Sequence, residues 1–287
     1  MINNKINSSN WLILGTSVEG KSHIIDNIPC QDAHAFTQLN ENWGIAVVSD
    51  GAGSYENSHL GSGFVVETSL TEFENVLNEN NWHVNNILPT NEDWNLIAIK
   101  TLKNIKEKLY DFSVMENLEF KSLSCTVIVL IYSPIGLLVT HIGDGRAGYK
   151  DENDNWFSII TPFSGHQVGT TVFITTNIWN DVSYYIESNV INSKIKAFTL
   201  LTDGCELSCW ECYQKSEIDD NYFYPNKPFP NFFNPNVNAL LKMYNSKLNY
   251  SILNAKWENF IKTGNEKLLN ETDDKTMILG VLLPKNI

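Results

Sequence analysis

Apolar residues fall along this chain in short unbroken runs more often than in alternation. Residues 11–15, 43–49, 126–132, 136–142, 197–202 and 276–283 are rich in Val, Ile, Leu or Thr and are bounded by Gly, Pro, Asn or Asp. Such runs predict strands covered on both faces. The pair around Ser133-Pro134-Ile135-Gly136 predicts a hairpin, because Pro and Gly punctuate two β-prone stretches. A helical period governs residues 60–78, 94–110 and 237–262. In the second of these, Leu96, Ile99, Leu102, Ile105 and Leu109 form one stripe, with Lys103, Lys106 and Lys108 mostly off it. That spacing predicts core-facing amphipathic helices. Strands arrive in runs with helices between them, which predicts an α+β layered sandwich rather than a parallel sheet. Residues 219–236 break the pattern, with four prolines and the aromatics Tyr222, Phe223, Tyr224, Phe229, Phe232 and Phe233. They read as an inserted irregular loop, either a docking surface for a protein partner or a segment that folds its rings back onto the sandwich.

Length and composition narrow the picture. A chain of 287 residues with 43% apolar content suits one domain over 1–287 carrying that loop. The formal charge of −13 repels nucleic acid and anionic membranes, and neither is expected as a partner. It would repel a phosphorylated substrate too, unless metal ions reverse the sign locally. No apolar run reaches the length of a membrane span. The polar start, MINNKINSSNW, lacks the apolar stretch of a signal peptide, so a cytoplasmic location is expected. Five cysteines, an odd number, make a poor disulfide framework. Cys205, Cys209 and Cys212 have a spacing that resembles the cluster motif of radical SAM enzymes. Their place near the end of the chain argues instead for buried cysteines on a helix.

The chemistry gathers on aspartates. Asp50 follows Ile45-Ala46-Val47-Val48-Ser49 and precedes Gly51; Asp144 follows Val139-Thr140-His141-Ile142-Gly143 and precedes Gly145; Asp203 follows Thr199-Leu200-Leu201-Thr202 and precedes Gly204. Asp273 and Asp274 stand just before Thr276-Met277-Ile278-Leu279. One Asp-Gly is usually a turn. Three of them, each after an apolar strand, with an Asp-Asp ahead of a fourth, place carboxylates repeatedly at rigid strand ends. Carboxylate oxygens are hard donors that suit Mg²⁺ or Mn²⁺. Two such ions about 4 Å apart would generate hydroxide at neutral pH and so hydrolyse phosphate esters.

The ordered series Gln31-Asp32-Ala33, Val48-Ser49-Asp50-Gly51-Ala52-Gly53, Ser124-Cys125-Thr126, Ile142-Gly143-Asp144-Gly145-Arg146, Leu201-Thr202-Asp203-Gly204 and Asp273-Asp274-Lys275-Thr276 resembles the motifs of PP2C-type metal-dependent Ser/Thr protein phosphatases, in their divergent bacterial branch. The resemblance runs from about Leu12 to Leu283. It implies a four-layer α-β-β-α sandwich with two central antiparallel sheets, and two Mg²⁺ or Mn²⁺ ions in a cleft at one end. Asp50 would bridge both ions and Gly51 would offer its carbonyl. Asp203 and Asp273 would complete the second ion, Asp32 would hold metal-bound water, and Asp144 with Asp203 would take a third, weaker ion. Asp32, Asp50 and Asp203 are thus the expected catalytic residues. The substrate implied is a phosphorylated protein, such as a cognate Ser/Thr kinase or its target. Three departures stand out. Gln31 replaces an acid. Ala52 replaces a proposed general-acid His, leaving protonation of the leaving group to metal-bound water. Asn27 stands where relatives carry a phosphate-gripping Arg, so Lys21 and His23 are the candidates for phosphate binding. His141 reads as a packed strand residue, and His166 as a weaker candidate for substrate contact. The same departures support the competing reading of a pseudophosphatase that serves as a binding module.

Overall fold

A strand built from a run such as Val127–Ser133 has no polar face to offer water and needs cover on both sides. In the computed structural model, which describes residues 9–163, 171–212, 214–215 and 222–284, four layers provide it. One antiparallel sheet runs in the order β2 (Ala33–Gln38), β3 (Gly44–Ser49), β4 (Val127–Ser133), β5 (Gly136–Ile142), β8 (Glu187–Ile191). The other runs β1 (Trp11–Val18), β14 (Lys275–Leu282), β9 (Ile195–Leu201), β6 (Arg146–Asp151), β7 (Trp156–Ser158). Helices α2 (Ser58–Asn80) and α4 (Asn91–Met115), with the short α3 (Trp82–Asn85) between them, cover the first sheet. Helices α7 (Pro230–Asn245) and α8 (Tyr250–Thr263) cover the second. Short helices α1 (Lys21–Asp26), α5 (Val182–Tyr185), α6 (Glu206–Cys209) and α9 (Glu266–Asn270) lie in the connections. The result is the four-layer α-β-β-α sandwich.

The period of two along each strand divides its side chains between two cores. Ile45, Val47, Val129 and Ile131 pack with Val65, Phe73, Leu102 and Leu109 of the helices. Their neighbours Ala46, Val48, Ile128 and Leu130 pack between the sheets with Ile13, Phe198, Leu200 and Ile278. On the far side Leu12, Leu14, Met277 and Leu279 meet Phe233, Leu240, Leu253 and Trp257. The hairpin at Ser133 and Gly136 forms as expected, with those two residues paired.

Two expectations fail. The helix over 237–262 is two helices. The chain turns at Lys247 (φ 56), and the Asn249 side chain then caps α8 by accepting from Ser251 N–H at 3.0 Å. The stretch 219–236 is not all irregular. Trp210–Glu211 (β10) pairs with Lys227–Pro228 (β13), and Gln214–Lys215 (β11) with Tyr222–Phe223 (β12). Helix α7 starts at Pro230, where a first-turn proline forfeits no intrahelical bond. Pro235 lies inside that helix, one turn further on. Phe232 and Phe233 are buried, with Phe233 4.7 Å from the Trp156 ring, while Phe223 and Tyr224 stay half exposed. Strands β2, β6, β7 and β8 were not expected from the sequence: β2, β7 and β8 are half-buried and carry polar residues, and β6, though buried, holds Arg146, Lys150 and Asp151. No described helix is long and apolar enough to cross a membrane.

Candidate active site

Strand direction brings the aspartates together. Ala33 pairs with Ser49, so Asp32 and Asp50 adjoin at one end of the first sheet. Leu201 pairs with both Met277 and Arg146, so Asp203, Asp273 and Asp144 gather at one end of the second. Gly143-Asp144-Gly145 carries the chain from β5 across to β6. Gly143 has φ +118, and a Cβ there would lie 2.6 Å from the Thr126 side chain. Asp50, Asp144, Asp203 and Asp273 each sit where a buried strand meets a loop, as the sequence predicts.

The backbone around them is tightly bonded. Asp50 N–H donates to Thr126 Oγ1 at 3.0 Å, and its carbonyl accepts from Thr126 N–H at 2.8 Å. Gly51 N–H donates to the Gln31 carbonyl at 3.1 Å. A Cβ on Gly51 would lie 2.5 Å from that same oxygen, so the close approach demands glycine. Asp32 is buried, and its Oδ2 accepts from the Thr202 hydroxyl at 2.7 Å. Thr202 Oγ1 in turn accepts from Thr276 N–H at 3.1 Å. The residue before Asp203 thereby holds Asp32 across the two sheets.

Burial and mutual repulsion govern the protons. Burial lifts Asp50 well above the ordinary carboxylate range, and Asp32, Asp203, Asp144 and Asp273 lift it further. Burial likewise raises Asp32, against the Thr202 hydrogen bond that lowers it. Asp203 is pushed up to about 7 by burial, then by Asp144 and Asp273. Asp144 and the more open Asp273 rise as well, burial leading in both. Asp203 Oδ1 is buried without a hydrogen-bond partner. Hard oxygen donors that raise one another's pKa, with an orphaned buried oxygen among them, fit a divalent cation. Among the described residues no three Asp, Glu, His or Cys side chains already close around one point.

The other predicted residues are engaged elsewhere. His23, buried on α1, has its Nδ1 2.9 Å from Asp274 Oδ1, outside hydrogen-bond geometry. Lys21 Nζ donates to Asn270 Oδ1 at 2.9 Å at the surface. Of the two phosphate-binding candidates, Lys21 is thus bonded to α9, while His23 lies against the buried Asp274 carboxylate. Asn27 ends α1 in the left-handed conformation (φ 55), so the position expected to hold an Arg serves as a helix stop. Ala52 is buried and offers no side-chain proton. Cys205 and Cys209 pack in the core under the Asp203 turn, and Cys209 Sγ contacts the Cys205 carbonyl. Burial raises both thiols well above their ordinary range. His141 is buried in β5, and His166 lies outside the described residues.

The family model described as Protein phosphatase 2C matches residues 19–251. The chain belongs to the protein phosphatase 2C family. It is similar to Serine/threonine-protein phosphatase 3 of Escherichia coli (strain K12), at 26% identity over 277 residues, 94% of this chain and 98% of the relative. In fold it resembles the Serine/threonine phosphatase Stp1 from Staphylococcus aureus (TM-score 0.57, 15% identity, 95% of each chain). It also resembles the S. agalactiae serine/threonine phosphatase (TM-score 0.58, 11% identity, 95% of this chain and 99% of that one). As a member of this metal-dependent family, the chain is a serine/threonine protein phosphatase, a phosphoric monoester hydrolase.

Three residues of this protein phosphatase 2C chain escaped assignment from sequence. Thr202 holds Asp32. Asp274, beside the expected ligand Asp273, is 2% exposed; the signal was the Asp-Asp pair ahead of a strand, where neighbours point to opposite sides. Arg146 is also 2% exposed. Its terminal nitrogen donates to Glu206 Oε2 and to the Tyr224 hydroxyl, each at 2.5 Å. It thereby ties the Asp144 loop to α6 and to the segment that precedes α7.

Proposed function

We propose that this protein phosphatase 2C domain, one unit over 1–287, uses the aspartate cleft to remove phosphate from serine or threonine residues of a cytoplasmic phosphoprotein, such as a kinase or a kinase target. The observation that carries the reading is that Asp50, Asp32, Asp203, Asp144 and Asp273 are all raised, Asp50 by the other four, while Asp203 Oδ1 is buried without a partner. Two Mg²⁺ or Mn²⁺ ions are assigned to Asp50, the Gly51 carbonyl, Asp203 and Asp273, with a third at Asp144 and Asp203. Magnesium typically takes one or two carboxylates and keeps several waters.

When bound, the ions would lower the pKa of water and neutralise charge on the phosphoryl group. The protein's own groups do the rest. Asp32, locked by the Thr202 hydroxyl at 2.7 Å, is oriented to accept a hydrogen bond from water in the cleft. Thr126 clamps the Asp50 backbone from both sides, so that carboxylate needs little reorganisation. Ala52 has no proton to give the departing alkoxide, so that proton comes from solvent in the cleft.

The decisive assay is Mn²⁺-dependent hydrolysis of p-nitrophenyl phosphate and of a phosphothreonine peptide, with wild type beside Asp50→Asn. The substitution should reduce kcat by more than about 100-fold while the far-UV circular dichroism stays native, given that bound metals supply several kcal/mol of transition-state stabilisation. Wild-type turnover in Asp50→Asn would sink the reading. A wild type that binds phosphopeptide without turning it over would favour the binding-module alternative.

A further inference from the structure

Asp274 is a buried carboxylate with all its donors drawn from distant parts of the chain. Its Oδ1 accepts from Gly20 N–H at 2.8 Å and lies 2.9 Å from His23 Nδ1. Its Oδ2 accepts from Gln31 N–H at 2.6 Å. Gln31 precedes Asp32, and its carbonyl accepts from Gly51 N–H at 3.1 Å and from the Ser62 hydroxyl at 2.5 Å. Gly20 opens α1 and lies flush against the Asp273 segment, where a Cβ would come within 2.3 Å of the Thr272 carbonyl oxygen. One side chain therefore joins the segments that carry Asp273, Asp32 and Gly51.

We propose that Asp274, with His23 packed against it, is a positioning residue that sets the Asp32 and Gly51 segment against Asp273. The inference rests on the metal-cleft reading above. A carboxyl group suits this place because two backbone N–H groups approach its two different oxygens. An amide offers one oxygen and one NH₂, so in Asp274→Asn one backbone donor would face another donor. A longer acid would push Gly20 and Gln31 apart, and there is no slack at Gly20. His23 contributes a nitrogen at its Nδ1 position, which the Nδ2 of an asparagine can occupy.

The test uses the full chain and four variants, Asp274→Asn, His23→Ala, His23→Asn and Asp50→Asn. Mn²⁺ affinity is measured by calorimetry, thermal melting is recorded in EDTA, and p-nitrophenyl phosphate kinetics are read at saturating Mn²⁺. Asp274→Asn should weaken Mn²⁺ binding and lower kcat, each about 10-fold, equivalent to about 1.4 kcal/mol, with KM for p-nitrophenyl phosphate changed less than about twofold. His23→Ala should show a smaller loss of the same kind, and His23→Asn should recover most of it. Folded Asp274→Asn with wild-type Mn²⁺ affinity and kcat overturns the proposal. So does a His23→Ala defect that His23→Asn fails to recover, or one that appears only in KM, since that would make His23 a phosphate ligand. Full activity in Asp50→Asn would instead sink the metal-cleft reading on which the proposal stands.

Discussion

Replacing Asp203 with asparagine should stabilise the metal-free protein while destroying its activity. The Asp203 carboxyl is held at about 7 against an ordinary 3.8, chiefly by burial and then by Asp144 and Asp273. A carboxyl raised on folding binds its proton more tightly in the native state. Its contribution favours the fold at low pH and is lost as pH climbs from about 4 through about 7. Each pH unit of difference is worth about 1.4 kcal/mol, so the raised Asp203 carboxyl costs the metal-free fold at most about 4 kcal/mol at pH 8 and about 1.6 kcal/mol at pH 5. Asparagine is nearly isosteric and never ionises. Because Asp144 and Asp273 stay to repel one another, about half of that ceiling, roughly 2 kcal/mol, should appear as a gain at pH 8. For a chain of this length that is a rise in Tm of about 4 °C. Differential scanning fluorimetry in EDTA at pH 5 and pH 8, wild type beside Asp203→Asn, reads it directly. Mn²⁺ should then raise the wild-type Tm, by about 2.7 kcal/mol of stability at a hundredfold excess over Kd, and raise that of the variant less. A variant that melts at or below wild type in EDTA at pH 8, or whose advantage is the same at pH 5, refutes the buried-charge reasoning.

Two further predictions concern the frame of the cleft. Arg146→Ala leaves Glu206 facing a void where the ion pair stood and should cost about 3 kcal/mol in urea unfolding. Tyr224→Phe removes one hydroxyl contact to the same guanidinium and should cost about 1 kcal/mol; equal effects of the two would contradict the assigned geometry. Gly204→Ala would set a Cβ 2.0 Å from the Asp274 carbonyl oxygen and should lose about 2 kcal/mol or more in the same assay, with Mn²⁺ affinity falling as the Asp203 turn shifts.

Much of this is legible in the sequence. Unbroken apolar runs such as 126–132 and 136–142 demand cover on both faces, and that requirement leads to paired sheets under helices. The Asp-Gly junctions marked the strand ends where the carboxylates emerge. The helix break at Lys247 was not legible, because it rests on one left-handed residue and one Asn cap inside an otherwise amphipathic stretch. The start of α7 was not legible either: proline argues against helix by composition and is harmless in the first turn.

Local chemistry therefore determined the strands, the helical stripes and the identity of the acidic residues, since period, side-chain hardness and turn propensity are properties of neighbours along the chain. Only the tertiary structure decided what each group touches. Asp274 meets Gly20 and Gln31 more than 240 residues away, His23 is turned to Asp274, and Asn27 ends a helix at a position expected to hold an Arg. The same holds for the raised carboxyl of Asp203. A pKa is set by the water excluded and the charges gathered around a group, and those exist only once the two sheets have closed on each other.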